Sequence, residues 1–212
     1  MLIDLTHTLT EQAEVFPGSK PPSLSTVAEV ETDGFKESEL TFYSHTGTHV
    51  DAPSHIYKDR LFLEEVPVSQ LIGKACLIDA TEVIDRSITL EHLEPVLKEA
   101  READFLIFYT GWGRKYGSEG YFYDYPLLSD EVLDFILETE KKGIGSDTMS
   151  LDDVFHDQVR RHRKLLKDQD ILIFENLTNL DLIRTTTFTF IGLPLKYKNS
   201  DGAPVRAVAI VE

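Results

Sequence analysis

Residues 45–55 read His45-Thr46-Gly47-Thr48-His49-Val50-Asp51-Ala52-Pro53-Ser54-His55, so three of the chain's seven histidines stand beside a carboxylate. Neutral imidazole and carboxylate are the donors that zinc, manganese and ferrous iron take. The stretch is a poor helix. Thr46, Thr48 and Val50 are β-branched, Gly47 is costly in a helix interior, and Pro53 keeps Ala52 out of the α region. Read as a strand, it turns His45, Gly47, His49 and Asp51 to one face. A straight strand would hold His45 and His49 ~13 Å apart at about 3.3 Å per residue. Ligand atoms about 2.1 Å from one ion lie within roughly 4 Å of each other. The chain is therefore expected to enter as a strand and bend at Gly47, where no Cβ stands in the way. His49 and Asp51 then add donors from the same side, and Pro53 sets His55 at the rim. A single strand histidine is more often a structural hydrogen-bonding residue. Four donors gathered around a glycine and a proline read as a metal site, with His55 left over to move protons near neutral pH.

Composition narrows what surrounds this site. The 212 residues, 42% of them hydrophobic, can bury a core as one domain spanning 1–212. A net charge of −16 argues against nucleic acid and anionic membrane as partners, since their phosphates would repel the chain. It suits a soluble cytoplasmic protein acting on a small molecule. The lone Cys76 excludes an internal disulfide framework and reads as a buried small hydrophobe in a strand. Met1-Leu2-Ile3-Asp4-Leu5 has neither a basic start nor a long apolar stretch, so no signal peptide is expected. No apolar run approaches membrane-spanning length, and Asn176-Leu177-Thr178 is then a chance sequon.

The first third reads as β-rich. Strands are expected over 25–31 and 37–45 about a turn at Thr32-Asp33-Gly34. Further strands are expected over 75–80, 105–110, 144–146, 171–175, 187–193 and 205–211. Thr89 is placed as the cap of a helix to about Glu102, and Ser129 as the cap of a helix over 130–142. A third helix is expected near 151–167, and an aromatic loop from Trp112 to Pro126. Strands early and strand–helix alternation later fit a mixed α/β fold. No phosphate-binding glycine loop and no nucleophile-elbow motif is present.

A second ion would need donors from elsewhere. Glu175 ends the apolar run Ile171-Leu172-Ile173-Phe174, where a buried strand opens onto a pocket. His162 lies in Arg160-Arg161-His162-Arg163-Lys164, a basic helical stretch in which a histidine is usually just exposed. His156 competes with it; His7 and His92 have less to recommend them.

The pattern His45-x-Gly47-Thr48-His49-x-Asp51-Ala52-Pro53-x-His55 resembles the signature of the metal-dependent cyclase family, whose members include bacterial kynurenine formamidases and isatin hydrolase. The resemblance extends to Ile3-Asp4-Leu5-Thr6, Phe16-Pro17-Gly18, Thr110-Gly111-Trp112, Glu175-Asn176-Leu177, Gly192-Leu193-Pro194-Leu195-Lys196 and Asp201-Gly202-Ala203-Pro204-Val205-Arg206-Ala207. It implies a swivelling β/β/α fold, a homodimer or homotetramer, and two divalent ions per subunit, zinc or manganese. His45, His49 and Asp51 would bind the first ion, and Asp51 would bridge to a second held by Glu175 and His162. His55 matches the general acid/base. The implied reaction is amide hydrolysis of the arylformamidase type by metal-activated water.

One departure bears on substrate. Before Pro17-Gly18 the kynurenine formamidases carry a tryptophan that stacks on the aromatic substrate; this chain has Phe16. An aromatic face survives for substrate binding, and Phe16 could equally be a core residue near the N-terminus. Three readings follow: a formamidase in tryptophan catabolism, lactam or lactone hydrolysis or a cyclisation at the same site, and a non-catalytic metal-binding protein. A positioned proton carrier argues against the last.

Overall fold

The computed structural model describes residues 1–156 and 158–212. In chain order the strands are β1 (Leu2–Asp4), β2 (Ser23–Ala28), β3 (Glu37–Thr41), β4 (His49–Asp51), β5 (Ile72–Asp79), β6 (Ser87–Ile88), β7 (Phe105–Tyr109), β8 (Leu127–Leu128), β9 (Gly143–Ser146), β10 (Leu172–Glu175), β11 (Thr187–Pro194) and β12 (Gly202–Ile210). The helices are α1 (Val30–Asp33), α2 (Leu97–Glu102), α3 (Asp130–Glu138) and α4 (Arg160–Leu166), with short 3-10 turns between.

Eight strands run in the order β1-β12-β11-β5-β7-β9-β10-β4, and β12 pairs with β4 as well, so the sheet closes on itself. β12 is long enough to do this: Gly202–Pro204 bonds to β4 and Val208–Ile210 to β1 along the same edge. β5, β7, β9 and β10 pair in parallel, while β4, β11 and β12 pair antiparallel with their neighbours. The fold is a mixed α/β barrel-like sheet.

Strand alternation sorts the core into two. Val50, Phe105, Ile107, Leu172, Phe174, Phe190 and Ala203 fill the barrel interior. Phe174 and Phe190 meet edge to face with centroids 4.9 Å apart, and Phe105 lies 5.2 Å from Phe190. Three rings in one interior require small residues opposite them. A Cβ on Gly192 would overlap Phe174 Cε1 and lie 3.0 Å from Cζ, and one on Gly145 would lie 2.8 Å from Ile107 Cδ1. The opposite faces of the same strands, with Leu106, Phe108, Ile144 and Ile173, pack under the buried sides of α3 and α4.

Several element boundaries differ from the sequence-based expectation, each for a local reason. β3 stops at Thr41, so His45 stands in a loop and not in a strand. β2 ends at Ala28, and Val30–Asp33 forms one helical turn closed by Gly34 at φ 83°. β2 and β3 make a separate two-stranded ribbon, so of the early strands only β1 and β4 join the barrel. The helix expected from Thr89 is broken into 3-10 turns over Leu90–His92 and Glu94–Val96 before α2, because Pro95 cannot donate within a helix. Ser129 caps α3 by accepting from Val132 N, but α3 ends at Glu138, where Thr139 Oγ1 turns back onto the Phe135 carbonyl at 2.6 Å. α4 starts nine residues later than expected, at Arg160; Asp157, inside that expected helix, lies outside the described residues. Among the described residues no helix is long and apolar enough to cross a membrane.

Candidate metal centre

The site lies on the outer face of the barrel where β4 meets β10. Their antiparallel register sets Glu175 opposite His49 and Ile173 opposite Asp51. Since Val50 and Phe174 point inward, period two sends His49, Asp51 and Glu175 outward together. α4 covers them. Its Leu165 and Leu166 are buried on the core that includes Ile173, and His162 shares that inner side, 3% exposed, while Arg160, Arg163 and Lys164 remain outside. Arg160, Arg163 and Lys164 thus form the solvated side of a helix whose Arg161 and His162 face in. His156 is on the surface against Asp153, with 81% of its side chain exposed.

Gly47 adopts φ 64°, a conformation L side chains rarely take, and the loop it bends folds His45 back over the strand that follows. His45 Nδ1 lies 2.6 Å from Asp51 Oδ1, and His49 Nε2 lies 3.3 Å from the same oxygen. The other Asp51 oxygen is 3.2 Å from His162 Nε2. Glu175 completes a ring, with Oε2 at 3.4 Å from His49 Nε2 and Oε1 at 3.3 Å from His162 Nε2. Two sets of convergent donors result, His45–His49–Asp51 and Asp51–His162–Glu175, joined at Asp51.

The histidines are held from behind. His49 Nδ1 donates to the Gly47 carbonyl at 2.8 Å, and His162 Nδ1 donates to Asp152 Oδ2 at 2.7 Å. Each bond fixes the tautomer that leaves Nε2 free for an ion, the arrangement characteristic of metal-bound imidazole. The donor set therefore fits a divalent metal. Charge agrees. Burial alone would push the His49 pKa down, but the bonds to Asp51 and Glu175 lift it to about 10. Burial likewise opposes protonation of His45, and the charge of Asp51 overcomes it, lifting the pKa to about 8. Burial would raise Asp51, yet the surrounding His45, His162 and His49 hold it well below the usual carboxylate range. Buried carboxylates this close demand positive charge, from protons or from metal.

His55 follows β4 on a 3-10 turn started by Pro53, and its ring centroid is 4.0 Å from that of His45. It lines a cavity of ≈ 400 Å³ together with the metal-type donors, Phe16, Tyr43 and Met149. Phe16 is 46% exposed at this cavity and is not a core residue. Two functional candidates escaped the sequence reading. Asp152 anchors His162, and nothing in its neighbourhood marks it. Asp201 reaches His45 Nε2 at 3.1 Å; its place before Gly202 at a strand start was the available signal. His7 and His92 lie outside the cluster, stacked on Tyr116 and accepting from Thr89 N respectively.

A barrel carrying a buried histidine–carboxylate centre beside an open cavity defines the class of a metal-binding α/β protein. The family model Cyclase, described as "Putative cyclase", matches residues 3–153, and the chain belongs to that family. A kynurenine formamidase of Bacillus anthracis is 31% identical over 208 residues, covering 97% of this chain and 95% of its own length. An uncharacterized protein of Methanocaldococcus jannaschii is 31% identical over 211 residues, 99% of each. Among solved structures, isatin hydrolase A from Labrenzia aggregata bound to benzyl benzoate superposes with a TM-score of 0.86 at 26% identity, covering 100% of this chain and 93% of that one.

Proposed function

We propose that this chain is a metal-dependent hydrolase that cleaves the C–N bond of a formamide-type amide, with N-formylkynurenine, giving kynurenine and formate in tryptophan catabolism, as the leading substrate. The observation that carries this reading is the pair of donor sets sharing Asp51 beside an open cavity that also holds His55 and Phe16. His45, His49 and Asp51 would hold one ion, and Asp51, His162 and Glu175 the second, zinc or manganese in each case. When bound, such a pair acidifies water and offsets negative charge developing on a carbonyl oxygen.

The chain's own residues supply the rest. Asp51 and Glu175 select cations by placing two negative charges in a buried site. The Gly47 carbonyl and Asp152 hold the rings of His49 and His162 so that Nε2 faces the carboxylates. His55 takes the proton of the attacking water on its imidazole and returns it to the leaving nitrogen, a role generally contributing ~10²–10⁴-fold. Phe16 offers an aromatic face at the cavity. The exposed Val27 and Leu40 of the β2–β3 ribbon, with the exposed Phe35 in the connection between them, favour assembly as a homodimer or homotetramer. The net charge of −16 suits a cytoplasmic protein.

The likeness to isatin hydrolase A favours a second reading, in which the same centre opens a lactam or lactone. Zinc- or manganese-loaded protein is to be assayed for formate release from N-formylkynurenine and for ring opening of isatin. Formate release supports the first reading, and ring opening alone transfers the assignment to the second. Inactivity on both with full metal occupancy overturns the hydrolase reading.

A further inference from the structure

Among the described residues a third convergent donor group is His45, His55 and Asp201, and the metal centre makes no use of Asp201. One oxygen of this carboxylate, Oδ2, lies 3.1 Å from His45 Nε2 and 3.8 Å from His55 Nδ1. Among the described residues it is the acidic side chain that addresses both a candidate metal ligand and the candidate proton carrier. We propose that Asp201 is a positioning residue that orients His45 and His55 together, tying the proton-carrying ring to the metal centre through one carboxylate. The inference rests on the hydrolase reading for its kinetic consequences, but not for its structural one.

The backbone fixes Asp201 where this requires. Its carbonyl accepts from Ala52 N at 2.9 Å, and Gly202 pairs with Asp51, so the start of β12 is locked to the strand bearing the ligands. Gly202 then provides room for His45: a Cβ there would lie 2.8 Å from His45 Nε2 and collide with Cε1. With Nδ1 of His45 on Asp51 and Nε2 on Asp201, both edges of that ring are fixed by carboxylates. The His55 ring packs on it at a centroid distance of 4.0 Å, with Nδ1 towards the same Asp201 oxygen. A carboxylate on Nδ1 favours the tautomer with the proton there, which leaves Nε2 of His55 as the atom that exchanges protons with substrate.

The test compares zinc-loaded wild type, Asp201→Asn, Asp201→Ala, His55→Ala and the Asp201→Ala/His55→Ala double variant. The ¹⁵N shifts of His55 report its tautomer without any assay of turnover. Asp201→Ala is expected to move His55 away from the Nδ1–H form, with Asn restoring it in part and bound zinc per chain unchanged. On formanilide, whose leaving amine needs a proton, kcat should fall about 10–100-fold in Asp201→Ala. On 4-nitrophenyl formate, whose leaving group needs none, the fall should be smaller, because only the removal of the water proton is impaired there. The double variant should be no slower than His55→Ala alone. An unchanged His55 tautomer, equal losses on both substrates, additive losses, or loss of bound zinc would each overturn the proposal. The last would make Asp201 a ligand. A wild type inactive on both substrates but with an Asp201-dependent His55 tautomer would sink the hydrolase reading and leave the positioning role standing.

Discussion

Asp152→Asn is the most informative perturbation of the centre, because it changes one oxygen to an NH2 with almost no change of shape. Asp152 is 2% exposed, and both of its oxygens are fully used. Oδ1 accepts from Arg161 N at 2.7 Å and Arg161 Nη1 at 3.4 Å; Oδ2 accepts from His162 N at 3.1 Å and His162 Nδ1 at 2.7 Å. Asparagine keeps one acceptor, so whichever way it sits, a donor pair faces an NH2. If that pair is on Arg161, neither donor can reverse its role. If it is on His162, the ring can accept at Nδ1 only by carrying its proton on Nε2, which points an N–H at Asp51 and Glu175 and removes the lone pair an ion needs. Either orientation turns the NH2 towards one buried backbone N–H, of Arg161 or of His162, and at about 1–3 kcal/mol for that lost acceptor the loss of stability is roughly 1–3 kcal/mol. At about 2–4 °C per kcal/mol for a chain of this size, Tm should fall by at least ~2 °C. Loss of this support should also weaken metal binding about 10–100-fold at the Asp51–His162–Glu175 set, with the His45–His49–Asp51 set less affected. Titration calorimetry with zinc and thermal unfolding of the metal-free protein measure the two effects separately. An Asp152→Asn protein with the wild-type isotherm and the wild-type Tm would refute the argument that Asp152 fixes His162.

Three further outcomes are expected. Gly192→Ala drives a methyl into the Phe174 ring inside the barrel and should cost about 1–3 kcal/mol in urea unfolding; no shift of midpoint would show that the interior has slack. His7 is stacked on Tyr116 with no partner for Nε2, and burial holds its pKa down to about 4. Because this folded value lies below the unfolded 6.5, the stability it supports is complete above pH 6.5 and is lost as pH falls towards 4. His7→Phe keeps the stack and removes the titration, so its urea midpoint should fall less than wild type between pH 7.5 and 5; parallel curves would exclude His7 as a source of acid sensitivity. Phe16→Ala should raise KM for an aryl formamide about 2–12-fold, the equivalent of a ring contact worth about 0.5–1.5 kcal/mol, with kcat held and an aliphatic formamide unaffected. A fall in kcat alone would place Phe16 elsewhere in the cycle.

How much was legible follows from range. The segment from His45 to His55 revealed its donors because ligand spacing, a glycine at a bend and a proline at an exit are all local features, and Gly47 does take the positive φ that the bend needs. Glu175 was legible because an acid ending an apolar strand is conspicuous. His162 was named only through the family resemblance, since a basic run says only that one side of a helix is wet; the inward side is decided by what it packs on, here Ile173 of β10 through Leu165 and Leu166. Helix lengths were overread wherever Pro95 or Thr139 intervened, as side-chain periodicity outlasts the backbone hydrogen bonds that define a helix.

By itself the sequence determined the chemistry of the donors, the mixed α/β class, and the hydrophobic alternation that turns Val50 inward and His49 and Asp51 outward. The tertiary structure decided which distant groups share the site. Closure of the sheet through β12 brings Asp201 to His45 across 156 positions of chain, and the register of β10 on β4 sets Glu175 beside His49. Those meetings depend on strand pairing and on three aromatic rings filling one barrel. Pairing and packing are properties of the whole chain, and no window of sequence contains them.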